Sequence, residues 1–423
     1  MIQIPHKYYR LDNGLKVVLS ADNNAPVVAV NLWYNVGSRN ERVGRTGFAH
    51  LFEHMMFQGS SNVPDTSHFA YIEKAGGSLN GSTWLDRTNY FETVPAHHLE
   101  LALWLESDRM GWLLPAMTQE KLDNQRDVVK NERRWRVDNQ PYGDWDERLQ
   151  ALMYPTEHPY HHSVIGSMED LDAASLHDVE EFFRTFYAPN NAVLTVCGDF
   201  EEKTARALIA DYFGSVPRGP DIPAVPGTVD VAPMLGAEQR VIVSQDISLP
   251  RIYAAYRIPP YGDERFYAAS VAAQILGWGK ASVLNRELVL KKRVAQDVVA
   301  YAFPIVAGAS MLVTWATAAQ NVEVPQVEAE LLAAIDRLCT IGDDDVQRAR
   351  NLIEARHLAD LQKLDERADT LSMLTTLFDD PARINTELDH YSSVTTADVR
   401  EFAAAYLVAE NRCVLTYVKK GRA

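Results

Sequence analysis

The sequence predicts an α+β fold of two homologous halves, each a mostly antiparallel sheet with helices packed on it. Three observations lead there. Strand-like and long helix-like patterns alternate along the 423 residues, a Pro/Gly-rich stretch interrupts the chain near its middle, and the two halves end on a related sequence. The length calls for more than one domain, and a hydrophobic content of 47% provides ample core.

The first half opens on two β-branched, apolar runs, LKVVLS from Leu15 and APVVAVNLWYNV from Ala25, which read as paired strands. GFAHLFEHMMFQG follows at residues 47–59, a helical pattern with Thr46 placed to cap it, continuing through Phe57 and ended by Gly59. The stretch TQEKLDNQRDVVKNERRWRVDNQPYG reads as a second helix, capped by Thr118 and closed by turn residues from Asn139 to Gly143. The half ends on DVEEFFRTFYAPNNAVLTV, an amphipathic helix and then a short strand.

Between Gly214 and Gly236 the prolines and glycines of GSVPRGPDIPAVPGTVDVAPMLG rule out a continuous helix and suit an extended linker. Beyond it, QRVIVS and LPRIYAAYRI repeat the opening strand pair. DVREFAAAYLVAENRCVLTY then repeats the ending: Asp178, Val179, Glu181 and Phe182 recur as Asp398, Val399, Glu401 and Phe402, an offset of 220, and the run VLT recurs at an offset of 221. A duplication is the economical explanation. The expected boundaries are 1–213 for the first half, 214–236 for the linker and 237–423 for the second half.

Composition narrows the function. A net charge of −16, from 41 Lys and Arg against 57 Asp and Glu, argues against nucleic acid as a partner and leaves room for a cationic one. No apolar run approaches the roughly eighteen residues of a membrane span. The N-terminal MIQIPHKYYRLDNGLKVVL lacks the features of a secretory signal or transit peptide, so the expected location is the cytoplasm. Three well-separated cysteines (Cys197, Cys339, Cys413) form neither a disulfide framework nor a metal pair and read as small buried hydrophobes.

Within the helical stretch at 47–59, His50 and His54 sit four apart and therefore project from one face, with Glu53 on the same side. The flanking Phe48, Leu51, Phe52, Met55, Met56 and Phe57 mark a buried helix, which would not leave three polar side chains unsatisfied. Two imidazoles at this spacing suit a catalytic zinc, and the glutamate stands where it can take a proton from water. The order His-x-x-Glu-His inverts the commoner zinc-protease helix. Such a site needs a third protein ligand; the second helix offers Glu132 at its middle, although taken alone it reads as one more exposed helical glutamate. Gln125 lies on the same face two turns earlier. The histidines at 97, 98, 158, 161 and 162 fall in turn-rich segments without ligand spacing and read as incidental.

The inverted motif, with Glu132 placed 78 residues beyond His54, resembles the pitrilysin and insulinase family of zinc metallopeptidases. The likeness is to its short-chain branch, that of the mitochondrial processing peptidase β-subunit and bacterial relatives. QRDVVKNE is similar to that branch's stretch ending in the third zinc ligand, and GGSLNGSTWLDRTNYFETVP, from Gly76, resembles its cleft segment. The resemblance covers the whole chain and implies one zinc per chain on His50, His54 and Glu132, with Glu53 as the catalytic base. It also implies a cleft lined by Asn80, Gly81, Ser82 and Thr83, with an edge strand binding substrate backbone. Where the family often has an acid near the third ligand this chain has Gln125, which can still hydrogen-bond as an outer partner but carries no charge.

A second departure concerns the partner. Competent members carry in the second half an arginine and, seven residues later, a tyrosine that hold the substrate carbonyl. Here Arg293 is followed seven residues on by Ala300, with Tyr301 one position late and hence on the opposite face of a strand. The second half, with only His357 and His390, has no counterpart of the zinc motif. The resemblance implies a dimer, and the missing tyrosine favours a heterodimer whose partner lacks zinc and supplies the Arg/Tyr pair, a homodimer being the other arrangement. The expected function is a zinc endopeptidase cleaving unfolded peptides or leader and presequences inside an enclosed chamber. The alternatives are a non-catalytic interaction or scaffold subunit, for which all four motif residues stand in unexpectedly good order, and a hydrolase of small substrates.

Overall fold

The structure, a computed structural model, describes residues 3–227 and 230–421, so residues 228 and 229 of the 214–236 stretch lie outside it. Its strands are β1 Lys7–Arg10, β2 Lys16–Ala21, β3 Val27–Tyr34, β4 Ser78–Thr83, β5 Thr88–Pro95, β6 Ala192–Gly198, β7 Gln239–Gln245, β8 Arg251–Ile258, β9 Ala295–Ala302, β10 Ser310–Ala318 and β11 Arg412–Lys419. The helices used below are α1 Phe48–Met55, α2 Leu99–Trp112, α3 Gln119–Arg133, α4 Trp145–Met153, α5 Leu176–Phe186, α6 Glu264–Gly277, α7 Leu364–Phe378 and α8 Thr396–Tyr406.

Two compact units result. The first takes residues 1–132, 163–226 and 358–387; the second takes 133–162, 227–357 and 388–423. The chain passes between them at 226/227, inside the Pro/Gly-rich stretch, but each unit also borrows a segment from the other half of the chain. In the first unit α7 packs on β3 and β6; in the second α4 packs on β11 and β8.

The first unit holds a six-stranded sheet in the order β1-β2-β6-β3-β5-β4, and the second a five-stranded sheet in the order β7-β11-β8-β10-β9. Each is antiparallel but for one parallel pair, β2 with β6 and β7 with β11. The sheets correspond strand for strand, and β1 is the extra member. The repeated ends also fold alike. Ser175 and Asp178 form a capping box on α5, and Thr395 and Asp398 form the same box on α8. Asn191 and Asn411 then each donate to the carbonyl of the helix they follow, Phe186 and Tyr406.

Pleating decides what the first sheet covers. Val28, Val30, Leu32 and Tyr34 of β3 face a core that includes Leu51, Phe52 and Met55 of α1. Ala29 and Trp33, on the alternate face, pack with Ala368, Leu371 and Leu374 of α7. Both faces of the central strands are therefore buried, which explains their near-continuous apolar sequence. Cys197 and Cys413 are buried as expected, but Cys339 is exposed, because its short turn Arg337–Thr340 buries only Leu338.

Candidate metal centre

The helix α1 differs from its expected form at both ends. It begins one residue later than Thr46 would set, with Gly47 as its N-cap at φ +83°, and it stops at Met55. Gly47 is required there: besides the left-handed backbone, a Cβ would lie 2.4 Å from the Ile165 carbonyl oxygen. Thr46 does not cap. Its amide and hydroxyl both donate to Asp170 Oδ2, at 2.9 and 2.5 Å. The cap comes instead from Glu41, whose Oε2 accepts from the Gly47 amide at 2.9 Å and whose Oε1 accepts from the Ala49 amide at 2.7 Å. Burial pushes the Glu41 carboxyl well above the ordinary range, against the pull of these two amides.

With Phe48, Ala49, Leu51, Phe52 and Met55 all buried, α1 shows a single polar stripe of His50, Glu53 and His54. Glu132 meets it from α3. That helix is seated by buried Leu122, Gln125 and Val129 and held by Arg126, whose Nε donates to the Leu171 carbonyl at 2.9 Å and Nη2 to that of Ala174 at 2.6 Å. Thr118 caps it through a 3.3 Å bond from the Lys121 amide, as the sequence predicts.

Glu132 Oε2 lies 3.7 Å from His50 Nε2 and 3.3 Å from His54 Nε2. One ligand atom from each of the three residues falls within 4.8 Å of the others, and among the described residues no other group of three His, Cys, Asp or Glu side chains gathers so. Their side chains keep 13, 22 and 16% of their exposure, so the cluster is not sealed from solvent. Two imidazole nitrogens and a carboxylate oxygen converging from two helices are a donor set that fits zinc.

Glu53 is placed beside this cluster. Its Oε2 accepts a 2.6 Å hydrogen bond from Thr83 Oγ1. Burial raises its carboxyl above the ordinary value; the Thr83 bond and then His54 oppose that shift, Glu132 adds to it, and Arg87 opposes. A carboxylate held above its usual range is better matched to proton transfer near neutral pH.

The four expected cleft residues are divided by the pleat. Gly81 and Thr83 face α1, and a Cβ at Gly81 would stand 3.2 Å from Glu53 Cγ. Asn80 and Ser82 alternate to the other face, where Ser82 Oγ donates to Asn89 Oδ1 at 2.6 Å. What the four share is the backbone of β4, the outermost strand of its sheet. Gln125 is buried on α3, two turns before Glu132. In the second unit Ala300 is buried against Gly277, whereas Tyr301 packs against Phe303 and Trp315. Glu41 is the support of this helix that the sequence does not reveal; a cap six residues upstream of the N-cap leaves no local pattern.

The family model described as Insulinase (Peptidase family M16) matches residues 16–159, and that of the Peptidase M16 inactive domain matches residues 173–353. The zinc protease PqqE of Helicobacter pylori is 31% identical over 335 residues, spanning 79% of this chain and 74% of that protein. A probable mitochondrial-processing peptidase subunit beta of Arabidopsis thaliana is 24% identical over 274 residues, 64% of this chain and 50% of that protein. Among solved structures, a protease from Helicobacter pylori superposes with a TM-score of 0.92 at 27% identity, covering 99% of this chain and 100% of the other.

Proposed function

The chain belongs to the insulinase family of peptidases, M16, and from that premise we propose that it is a zinc-dependent endopeptidase acting on unfolded peptides or leader sequences. The observation that carries the reading is the convergence of His50, His54 and Glu132 beside a half-buried Glu53. In this reading His50 and His54 supply neutral imidazole nitrogens and Glu132 a carboxylate oxygen. Zinc held by them supplies Lewis-acid chemistry, lowering the pKa of water and stabilising negative charge on a carbonyl oxygen. Glu53 takes the proton of the attacking water at its carboxylate and returns it to the leaving amine. The free edge of β4 takes up substrate as an added strand, so main-chain hydrogen bonds select extended peptides rather than a particular sequence.

The working unit in this proposal is a dimer enclosing a chamber that folded proteins cannot enter. The burial of Ala300, with Tyr301 turned to the other face of β9, supports a partner subunit that supplies the missing Arg/Tyr pair. The net charge of −16 supports a preference for basic peptides.

Cleavage of a quenched fluorescent peptide library by the purified chain, alone and with a homologous partner, tests the reading. Zinc near one per chain, cleavage only with the partner and its abolition by Glu53→Gln are expected. Full activity in Glu53→Gln would overturn the base assignment. Cleavage by the chain alone would mean a self-sufficient homodimer, and no cleavage under either condition would leave a scaffold subunit.

A further inference from the structure

We propose that Thr83 is a positioning residue for Glu53: its hydroxyl holds one carboxylate oxygen and leaves the other for the proton. The assignment rests on the reading of Glu53 as proton acceptor and adds a role for Thr83 in place of the substrate contact that the family resemblance implies.

Three observations carry it. First, Thr83 Oγ1 donates to Glu53 Oε2 at 2.6 Å, a short bond from a neutral hydroxyl to a half-buried carboxylate. A carboxylate has two oxygens, so fixing Oε2 sets the plane of the group and presents Oε1. Second, the strand approaches because residue 81 is glycine. A Cβ there would lie 3.1 Å from Phe57, 3.2 Å from Tyr90 and 3.2 Å from Glu53.

Third, the hairpin beyond Thr83 is clamped from several sides, so the hydroxyl has a defined place. Arg87 Nη1 donates to the Ser82 carbonyl at 2.9 Å and to Asn89 Oδ1 at 3.1 Å. Asn89 and Trp33 in turn donate to Asp369 of α7 at 2.9 and 2.7 Å. At the tip, Asp86 pairs with Arg39 at 2.9 Å, and the amides of Ser38 and Arg39 donate to the carbonyls of Trp84 and Leu85. A hydroxyl carried on a hairpin held this firmly is suited to orienting its neighbour and poorly suited to adapting to varied substrates.

Thr83→Val keeps the shape and removes the donor; Thr83→Ser restores it. The Val variant should retain zinc and its melting temperature and keep KM within about twofold. It should lose about 10- to 100-fold in kcat, the scale of a misplaced proton acceptor. The Ser variant should recover most of that loss. On the inactive Glu53→Gln background, adding Thr83→Val should leave the Kd of a fluorescent peptide unchanged by anisotropy. A tenfold weaker Kd would make Thr83 a substrate contact and overturn the proposal, as would unchanged kcat in Thr83→Val or failure of Thr83→Ser to rescue. If the wild-type enzyme itself cleaves nothing, the peptidase reading falls and this assignment with it; an active wild type with an unimpaired Val variant removes this assignment alone.

Discussion

Replacing Glu41 should damage a site it never touches. Its two oxygens satisfy the Gly47 and Ala49 amides at 2.9 and 2.7 Å, at the start of the helix that carries His50, Glu53 and His54. Glu41 is 6% exposed, so water does not readily replace it. In Glu41→Ala two buried N–H groups lose their acceptor, at about 1–3 kcal/mol each, and the total comes to about 3–5 kcal/mol once the vacated volume is included. Glu41→Gln keeps one acceptor oxygen and should cost about 2 kcal/mol. Because the first turn of α1 leads directly into His50, zinc affinity should fall by about tenfold in the Ala variant, the scale seen when outer supports of metal ligands are removed. Urea unfolding of the zinc-free protein gives the first quantity, and a competition titration with a chromophoric chelator gives the second. Glu41→Ala within about 0.5 kcal/mol of wild type, with unchanged zinc affinity, would refute the assignment of Glu41 as the cap.

Other expectations follow from the same geometry. A Cβ on Gly37 would lie 2.3 and 2.5 Å from the Trp84 and Leu85 oxygens and 2.7 Å from the Arg87 amide. Gly37→Ala should therefore cost about 2–3 kcal/mol in thermal melting and lower cleavage while zinc is retained; a wild-type melt would contradict this. In the second unit, burial raises the Asp146 carboxyl to about 6 from 3.8. Its folded pKa lies above its unfolded one, so its contribution is complete below the unfolded value and is lost as pH rises through about 6. The rise from 3.8 to about 6 corresponds to about 3 kcal/mol, and Asp146→Asn should flatten the fall in urea midpoint between pH 4 and 8; parallel profiles would rule the origin out. Cleavage of basic peptides should slow as salt is added, and rates insensitive to ionic strength would count against an acidic chamber.

The parts legible in the sequence were those with a short period. His50, Glu53 and His54 share a helix face by spacing alone, and the repeat ending in the capping boxes at Ser175 and Thr395 announced two related units. Glu132, one glutamate among several on its helix, stood out through the resemblance. Contacts between residues far apart in sequence were hidden. Nothing in the amphipathic pattern of α7 or α4 says which sheet it will cover, so the exchange of these helices between the two units could not be read. Glu41 reaches the helix start around a left-handed glycine, a geometry that sequence periodicity does not encode. The alternation that sends Thr83 to Glu53 and Ser82 to Asn89 depends on the register of β4 with β5, in which Gly81 faces Tyr90.

Zinc content per chain in wild type and Glu132→Ala, read with X-ray absorption of the bound metal, decides whether His50, His54 and Glu132 are the ligand set. One zinc in the wild type, bound by two imidazole nitrogens and carboxylate oxygen, and its loss in the variant are expected. One zinc retained in Glu132→Ala with an unchanged absorption spectrum would contradict that ligand set and place the third ligand elsewhere.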